Sequence, residues 1–418
     1  MQVTIFPSQL HGTVTPPPSK SQAHRLIILS ALADGESTIR NFELSKDLLF
    51  TQRAIDTLGA RIGTDTDGNR NNTKHIRGID PHRAWTKELP QIDCGESGST
   101  LRFLIPVSLA VAGGGVFTGS ERLMQRPLEP YFAIFREQGI HYSLENNTLT
   151  VQGRLLPGQY RLPGNVSSQF FSGLLLALPL LSEPSVLIPE GRLESNSYIT
   201  MTLHALSQFG VYIPATMSIP PQYHIPGGTV YAPQNLSLEA DWSQAAFWYA
   251  AAGIGNEITV TGMSNESFQG DRAILEYGEM LRTHGDVTID ISNCPDLAPP
   301  LAVWGALRDG QLHLTNAARL RLKESDRLAA ITDTLTALGA DIREEADSLT
   351  IRGKSSLVGG VTVDCHNDHR IAMMLAIAAT RCMHPVTLTG AQCVNKSYPH
   401  FWQDYTALGG MLHEYTGQ

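Results

Sequence analysis

Apolar residues in this chain fall into two kinds of helical block that alternate along its length. In the first kind, exemplified by residues 103–110 (FLIPVSLA) and 245–252 (AAFWYAAA), nearly every position is apolar, and a helix that is hydrophobic all round belongs inside a core. In the second kind, Lys46 to Leu58 and Lys323 to Leu338, charged residues interrupt a 3.6-residue apolar stripe, which predicts helices with one wet face. Short β-branched or apolar segments lie between them: Thr38-Ile-Arg, Val116-Phe-Thr, Ser185-Val-Leu-Ile, Glu257-Ile-Thr-Val, Gln311-Leu-His-Leu and Pro385-Val-Thr-Leu. These read as strands.

Taken in order, the blocks repeat one unit six times: a polar start, a buried helix, a strand, and an amphipathic helix closing near a glycine. The starts are Ser19, Ser97, Ser167, Asp241, Asp296 and Asn367, and the closing glycines are Gly59, Gly139, Gly210, Gly285, Gly339 and Gly409, each 40 to 44 residues beyond its start. A recurring period of this kind marks a repeat architecture. Three buried helices would fill one domain core with sheets packed outside, so six units predict two α/β domains.

The composition fits that picture. The 418 residues suggest two or three domains at roughly 150 residues each, and the 42% hydrophobic against 17% charged content is that of a chain with much interior. The net charge of −9 and pI near 5.9 argue against a general polyanion binder, so any anion site must be local. The longest apolar run, around Phe170 to Leu181, is broken by Ser172, Gly173 and Pro179 and falls short of the roughly 20 residues that span a bilayer. No basic-then-apolar leader is visible at the N-terminus. The five cysteines contain no CxxC, which predicts free thiols in a reducing cytoplasm. Cys365-His366-Asn367-Asp368-His369 has no second Cys/His cluster to complete a zinc site, so no metal is expected.

The polar residues at the mouths of the buried helices include Lys20, Ser21 and Arg25; Ser99 and Arg102; Ser167, Ser168 and Gln169; Asp296; His369 and Arg370. Capping accounts for Ser, Asp and Asn there. Lys and Arg oppose the positive end of the helix dipole, so their presence points to a bound anion that offsets them. Lys323 and Arg327, four apart, are expected on one helical face, with Glu324 beside them. Arg126 and Lys396 each precede a proline-marked second helix.

These segments, PPSKSQAHR, GSTLRF with the MQRPL loop, GNVSSQF, KESDRL with its trailing LGAD, and NDHRIAM, resemble in order and spacing the 5-enolpyruvylshikimate-3-phosphate (EPSP) synthase family, across essentially the whole chain. The resemblance implies a two-domain inside-out α/β barrel of six βαβαββ-type repeats with parallel buried helices. One domain would be discontinuous, residues 1–19 with 240–418, the other would span 20–239, and the active site would lie in the cleft between them. It implies transfer of the enolpyruvyl group of phosphoenolpyruvate to the 5-hydroxyl of shikimate 3-phosphate through a tetrahedral intermediate, without metal or organic cofactor, by a cytoplasmic monomer that binds neither nucleic acid nor membrane.

Carried over position by position, the resemblance assigns Lys20, Ser21, Arg25, Ser167, Ser168, Ser195, Tyr198, Asp296 and Lys323 to shikimate 3-phosphate. It assigns Lys20, Gly98, Arg126, Gln169, Arg327, Arg370 and Lys396 to phosphoenolpyruvate. Asp296 would accept the hydroxyl proton, and Glu324 with Lys20 would exchange protons with the C3 methylene and the leaving phosphate. Two positions depart from the family's habit: Glu96 and Arg319 stand where Asn is frequent, and a neighbouring Arg is the expected counter-ion of Glu96. The related enolpyruvyl transferases acting on a UDP-amino sugar share the repeat but carry Lys-Asn near the N-terminus and usually a reactive loop cysteine. Here Lys20-Ser21 stands instead, and the loop 120–127 has no cysteine. A non-catalytic scaffold of six repeats would leave the ordered cations and the Asp296/Glu324 pair unexplained.

Overall fold

The structure is a computed structural model that describes residues 1–66, 72–80 and 88–415. The chain divides into two compact units: a discontinuous one, Met1–Pro17 with Ala240–Gln418, and a central one, Pro18–Glu239. Each holds three buried helices. Those of the central unit are Lys20–Leu32, Gly98–Ala112 and Ser168–Ala177, and those of the discontinuous unit are Trp242–Gly253, Ala298–Ala306 and His369–Ala379. All residues of Ala298–Ala306 and His369–Ala379 are buried, as their apolar circumference requires. No helix among the described residues is long and apolar enough to cross a membrane.

Among the described residues, the four-stranded sheets repeat one topology. In the central unit the strand orders are Asn235–Ser237, Glu36–Phe42, Asn72–Arg77, Arg61–Asp65 and Gln91–Asp93, Gly114–Thr118, Thr148–Gln152, His141–Glu145. In the discontinuous unit they are Val287–Asp290, Gln311–Thr315, Leu349–Arg352, Asp341–Glu344 and Thr362–Asp364, Val386–Thr389, Gln2–Phe6, Met411–Tyr415. In all four the first pair is parallel and the next two are antiparallel. The pairing Val287 with Leu312 with Ile351 sets the register of one such sheet and turns their side chains to the same, buried face. The chain thus has an α/β fold of mixed, separate sheets around apolar helices.

The predicted punctuation is largely where the pattern put it. Ser19, Ser97, Ser167 and Asp241 cap their helices through side-chain oxygens, and all six closing glycines have positive φ, the conformation that lets a chain leave a helix cheaply. Two starts differ. Asp296 lies in the single 3-10 turn Pro295–Leu297, ahead of the helix at Ala298, and the last helix is capped by Asp368, because Asn367 adopts a left-handed φ of 50°. A third expectation fails: Lys323 and Arg327 do not share a helix. Lys323 is extended (φ −87°, ψ −162°) after the 3-10 turn Ala318–Leu322, and the helix begins at Arg327 under the cap of Asp326. Asp326 competes for the backbone N–H groups that an earlier start would need.

One packing detail positions a cation. Pro106 inside Gly98–Ala112 removes the N–H that would bond the carbonyl of Arg102. Tyr131 Oη donates to that carbonyl instead, at 2.7 Å. A Cβ on Gly173 would meet this pair at 2.3 and 2.4 Å, so glycine is what allows helix Ser168–Ala177 to approach so closely.

Candidate active site

In the central unit, three helix mouths are tied to one another by side chains. Arg25, 2% exposed, donates from Nε to Thr202 Oγ1 (2.8 Å), from Nη1 to the Ser21 carbonyl (2.7 Å), and from Nη2 to Ser172 Oγ (3.2 Å) and the Tyr198 carbonyl (3.0 Å). Four of the five guanidinium N–H groups are therefore committed within the protein, and burial lowers its pKa to about 10, with Tyr198 opposing. Arg25 thus braces Ser21 and Tyr198. Tyr198 follows Ser195, whose backbone is left-handed (φ 53°, ψ 38°), a strained state of order 1–3 kcal/mol for a residue with a side chain.

Arg102 is the second bracket. Its Nη1 donates to Gln169 Oε1 at 2.7 Å and its Nη2 to the Pro127 carbonyl at 3.2 Å, while Gln169 Nε2 donates to Ser99 Oγ at 3.0 Å. This holds Gln169 beside the capped pair Ser167-Ser168 and fixes the loop carrying Arg126. The Arg126 guanidinium lies against Gly98, where a Cβ would stand 2.6 Å from Nη1. Lys20 Nζ is bonded to Asp47 Oδ2 at 2.9 Å with both side chains mostly buried. Glu96 meets Lys46 at 3.4 Å.

The discontinuous unit builds its cluster around one guanidinium. Arg327, fully buried, donates from Nε to Asp368 Oδ2 (2.9 Å), from Nη1 to Asp296 Oδ1 (2.9 Å), and from Nη2 to Glu324 Oε2 (2.7 Å) and Asp368 Oδ1 (3.3 Å). Burial alone would lower its pKa, but Asp368, Glu324 and Asp296 outweigh it and push the pKa up. Asp296 also accepts from Lys323 Nζ at 3.4 Å and from Arg370 Nη2 at 3.0 Å. Desolvation, joined by the charges of Arg327 and Arg319, lowers the pKa of Lys323 against the pull of Asp296 and Glu324. Lys396 Nζ donates to the Asn367 carbonyl at 2.5 Å. Arg319 donates to the Ser292 carbonyl at 2.9 Å.

The structure therefore gathers Asp296, Lys323, Glu324, Arg327 and Arg370 in one unit, and links Ser21, Arg25 and Tyr198, and Gln169 with Ser99 and Arg102, in the other. Sequence reasoning passed over Asp47, Asp271 and the bracketing role of Arg102, and saw Asp368 only as part of a possible half-site. Asp271 is buried, receives the Ser243 hydroxyl, and is pushed up to about 7 by burial and then by Asp296, against Arg370 and Ser243. Its signal is not local: no spacing links residue 271 to 296. Among the described residues no group of three or more His, Cys, Asp and Glu is placed to hold a metal ion.

His24 gives a pH prediction. Burial, then Lys20 and Arg25, lower its pKa well below 6.5, so below about pH 6.5 the unfolded chain binds a proton that the folded one refuses. Stability then falls with pH by at most about 1.4 kcal/mol per unit until the folded pKa is reached. Urea midpoints of the wild type should drop more between pH 7.5 and 5.5 than those of His24→Asn; parallel drops would contradict this.

The chain is similar to known proteins along nearly its full length. The chain matches the family model described as EPSP synthase (3-phosphoshikimate 1-carboxyvinyltransferase) over residues 6–405. It is 43% identical over 429 residues to the 3-phosphoshikimate 1-carboxyvinyltransferase of Clostridium perfringens (strain ATCC 13124), covering 98% of this chain and 99% of that one. To the Clostridioides difficile (strain 630) protein of the same name it is 43% identical over 435 residues, covering 98% of each. An EPSP synthase structure from Acinetobacter baumannii superposes with a TM-score of 0.78 at 26% identity, covering 99% of each chain. The enolpyruvyl transferase NikO from Streptomyces tendae reaches the same TM-score of 0.78 at 18% identity, covering 100% of this chain and 99% of that chain, a likeness of fold alone.

Proposed function

The chain belongs to the EPSP synthase family, so enolpyruvyl transfer from phosphoenolpyruvate to shikimate 3-phosphate in the shikimate pathway is its reaction, and we propose how its residues divide that work. The observation that carries the proposal is that one buried guanidinium, Arg327, holds both acid–base carboxylates, Asp296 on Nη1 and Glu324 on Nη2. Shikimate 3-phosphate is read by Lys20, Ser21, Ser167, Ser168, Ser195 and Tyr198, with Arg25 bracing Ser21 and Tyr198 and offering at most its remaining N–H, and by Asp296 and Lys323. Phosphoenolpyruvate is read by Lys20, Gly98, Arg126 and Gln169 from the central unit and by Arg327, Arg370 and Lys396 from the discontinuous one. These groups belong to separate units, here taken as domains 1–19 with 240–418 and 20–239, and the reaction needs both sets, so we place it where the substrates bridge them. The all-apolar helices support reading each domain as an inside-out α/β barrel of three repeats.

In the addition step, Asp296 takes the 5-hydroxyl proton while the oxygen bonds to C2 of phosphoenolpyruvate and C3 gains a proton from Glu324 or Lys20. In the elimination step, the C3 methyl loses a proton, the double bond re-forms, and the C2–O bond to phosphate breaks. General acid–base catalysis requires groups that both give and take protons. The surrounding cations stabilise charge on the phosphate without needing to reorganise. We further read the enzyme as a cytoplasmic monomer; five free, buried thiols support a reducing location.

The test is release of inorganic phosphate from shikimate 3-phosphate plus phosphoenolpyruvate. Release with a UDP-amino sugar acceptor, and none with shikimate 3-phosphate, would reverse the substrate assignment.

A further inference from the structure

A one-way chain of hydrogen bonds runs behind the Gly98 mouth of the central unit. Thr100 Oγ1 donates to Ser97 Oγ at 2.7 Å, so its only hydroxyl proton is spent. Its contact with Thr51 Oγ1, also 2.7 Å, must then be one in which Thr51 donates. Thr51 has no second proton, so its 2.7 Å contact with His24 Nδ1 is donated by the imidazole. His24 is therefore the Nδ1–H tautomer, and its Nε2 is a bare acceptor, buried with no hydrogen-bond partner. The far end is equally determined. Ser97 Oγ accepts from both the Thr100 hydroxyl and the Thr100 N–H at 3.2 Å, so its own hydroxyl can act only as a donor.

Ser97 caps helix Gly98–Ala112, and Gly98 is the surface on which Arg126 lies. We propose that His24 is a positioning residue for the phosphoenolpyruvate side of the site, holding the Ser97 cap, and through it Gly98 and Arg126, by the Thr51–Thr100 relay. The inference rests on the assignment of Gly98 and Arg126 to phosphoenolpyruvate. A buried histidine serving the core alone would need neither a fixed tautomer nor a chain of three hydroxyls ending at a helix mouth. The relay's directionality also excludes an acceptor at position 24: the side chain must present an N–H where Nδ1 stands, which asparagine can do and leucine cannot.

The test measures both KM values and kcat for the wild type, His24→Leu, His24→Asn and Thr51→Val. His24→Leu and Thr51→Val should raise KM for phosphoenolpyruvate about five- to tenfold, the loss of one neutral hydrogen bond. KM for shikimate 3-phosphate and kcat should change less than about twofold, and His24→Asn should restore the wild-type KM. An unchanged KM for phosphoenolpyruvate, an equal rise for both substrates, or a His24→Asn enzyme as impaired as His24→Leu would overturn the proposal. Thr51→Val, nearly isosteric, keeps the test decisive if His24→Leu fails to fold. Failure of the reaction assignment itself would show separately, as absence of phosphate release by the wild type.

Discussion

Replacing Asp296 by Asn is expected to lower turnover by about 10²- to 10⁴-fold, the usual contribution of a positioned general base or acid, and Glu324→Gln should do the same. Asp296 is bonded to Lys323, Arg327 and Arg370, so the amide removes one negative charge from among three cations. The remaining positive charge favours an anionic ligand, and shikimate 3-phosphate should therefore still bind. Equilibrium binding by calorimetry beside steady-state turnover checks the split. Near-normal turnover in both variants would remove these carboxylates from proton transfer, and loss of binding in Asp296→Asn would make contact with shikimate 3-phosphate, in place of proton transfer, its main contribution.

Replacing Arg327 by Met should destabilise the protein by about 3–5 kcal/mol, the cost of breaking a buried ion pair by removing one partner. The reason is Asp368, fully buried and bonded twice to Arg327, which would lose its guanidinium counter-charge. Arg327→Lys should recover only part of the loss, since an ammonium cannot meet Asp368, Asp296 and Glu324 in the planar geometry of a guanidinium. Urea denaturation of the three proteins measures this. A Met variant within about 1 kcal/mol of the wild type would mean that solvent reaches the carboxylates and that the hub is not a buried one.

The fold was legible because its signals are local. All-apolar stretches announce buried helices, a Ser or Asp ahead of them announces a cap, and the six closing glycines announce the exits. Much of the candidate site could be proposed from the sequence because cations at helix mouths are anomalous on their own. What stayed hidden is long-range. Nothing in the sequence shows that Arg102 reaches Gln169, 67 positions away, or that Lys20 meets Asp47. Nor does the sequence show that Arg25 reaches Ser172 and Thr202, 147 and 177 positions away. Lys323 and Arg327 looked like helical neighbours because their spacing fits a helix. The Asp326 cap starts that helix at Arg327, which leaves Lys323 extended and free to turn towards Asp296.

The most direct test of addition–elimination is to run the reaction in D₂O and measure deuterium in the vinyl methylene of the product by mass spectrometry. If C3 becomes a methyl group in the intermediate, it gains one deuteron from the solvent and then loses one of three hydrogens of a rotating methyl, so most of the product must carry deuterium. Product formed in D₂O with an unlabelled methylene would contradict the account.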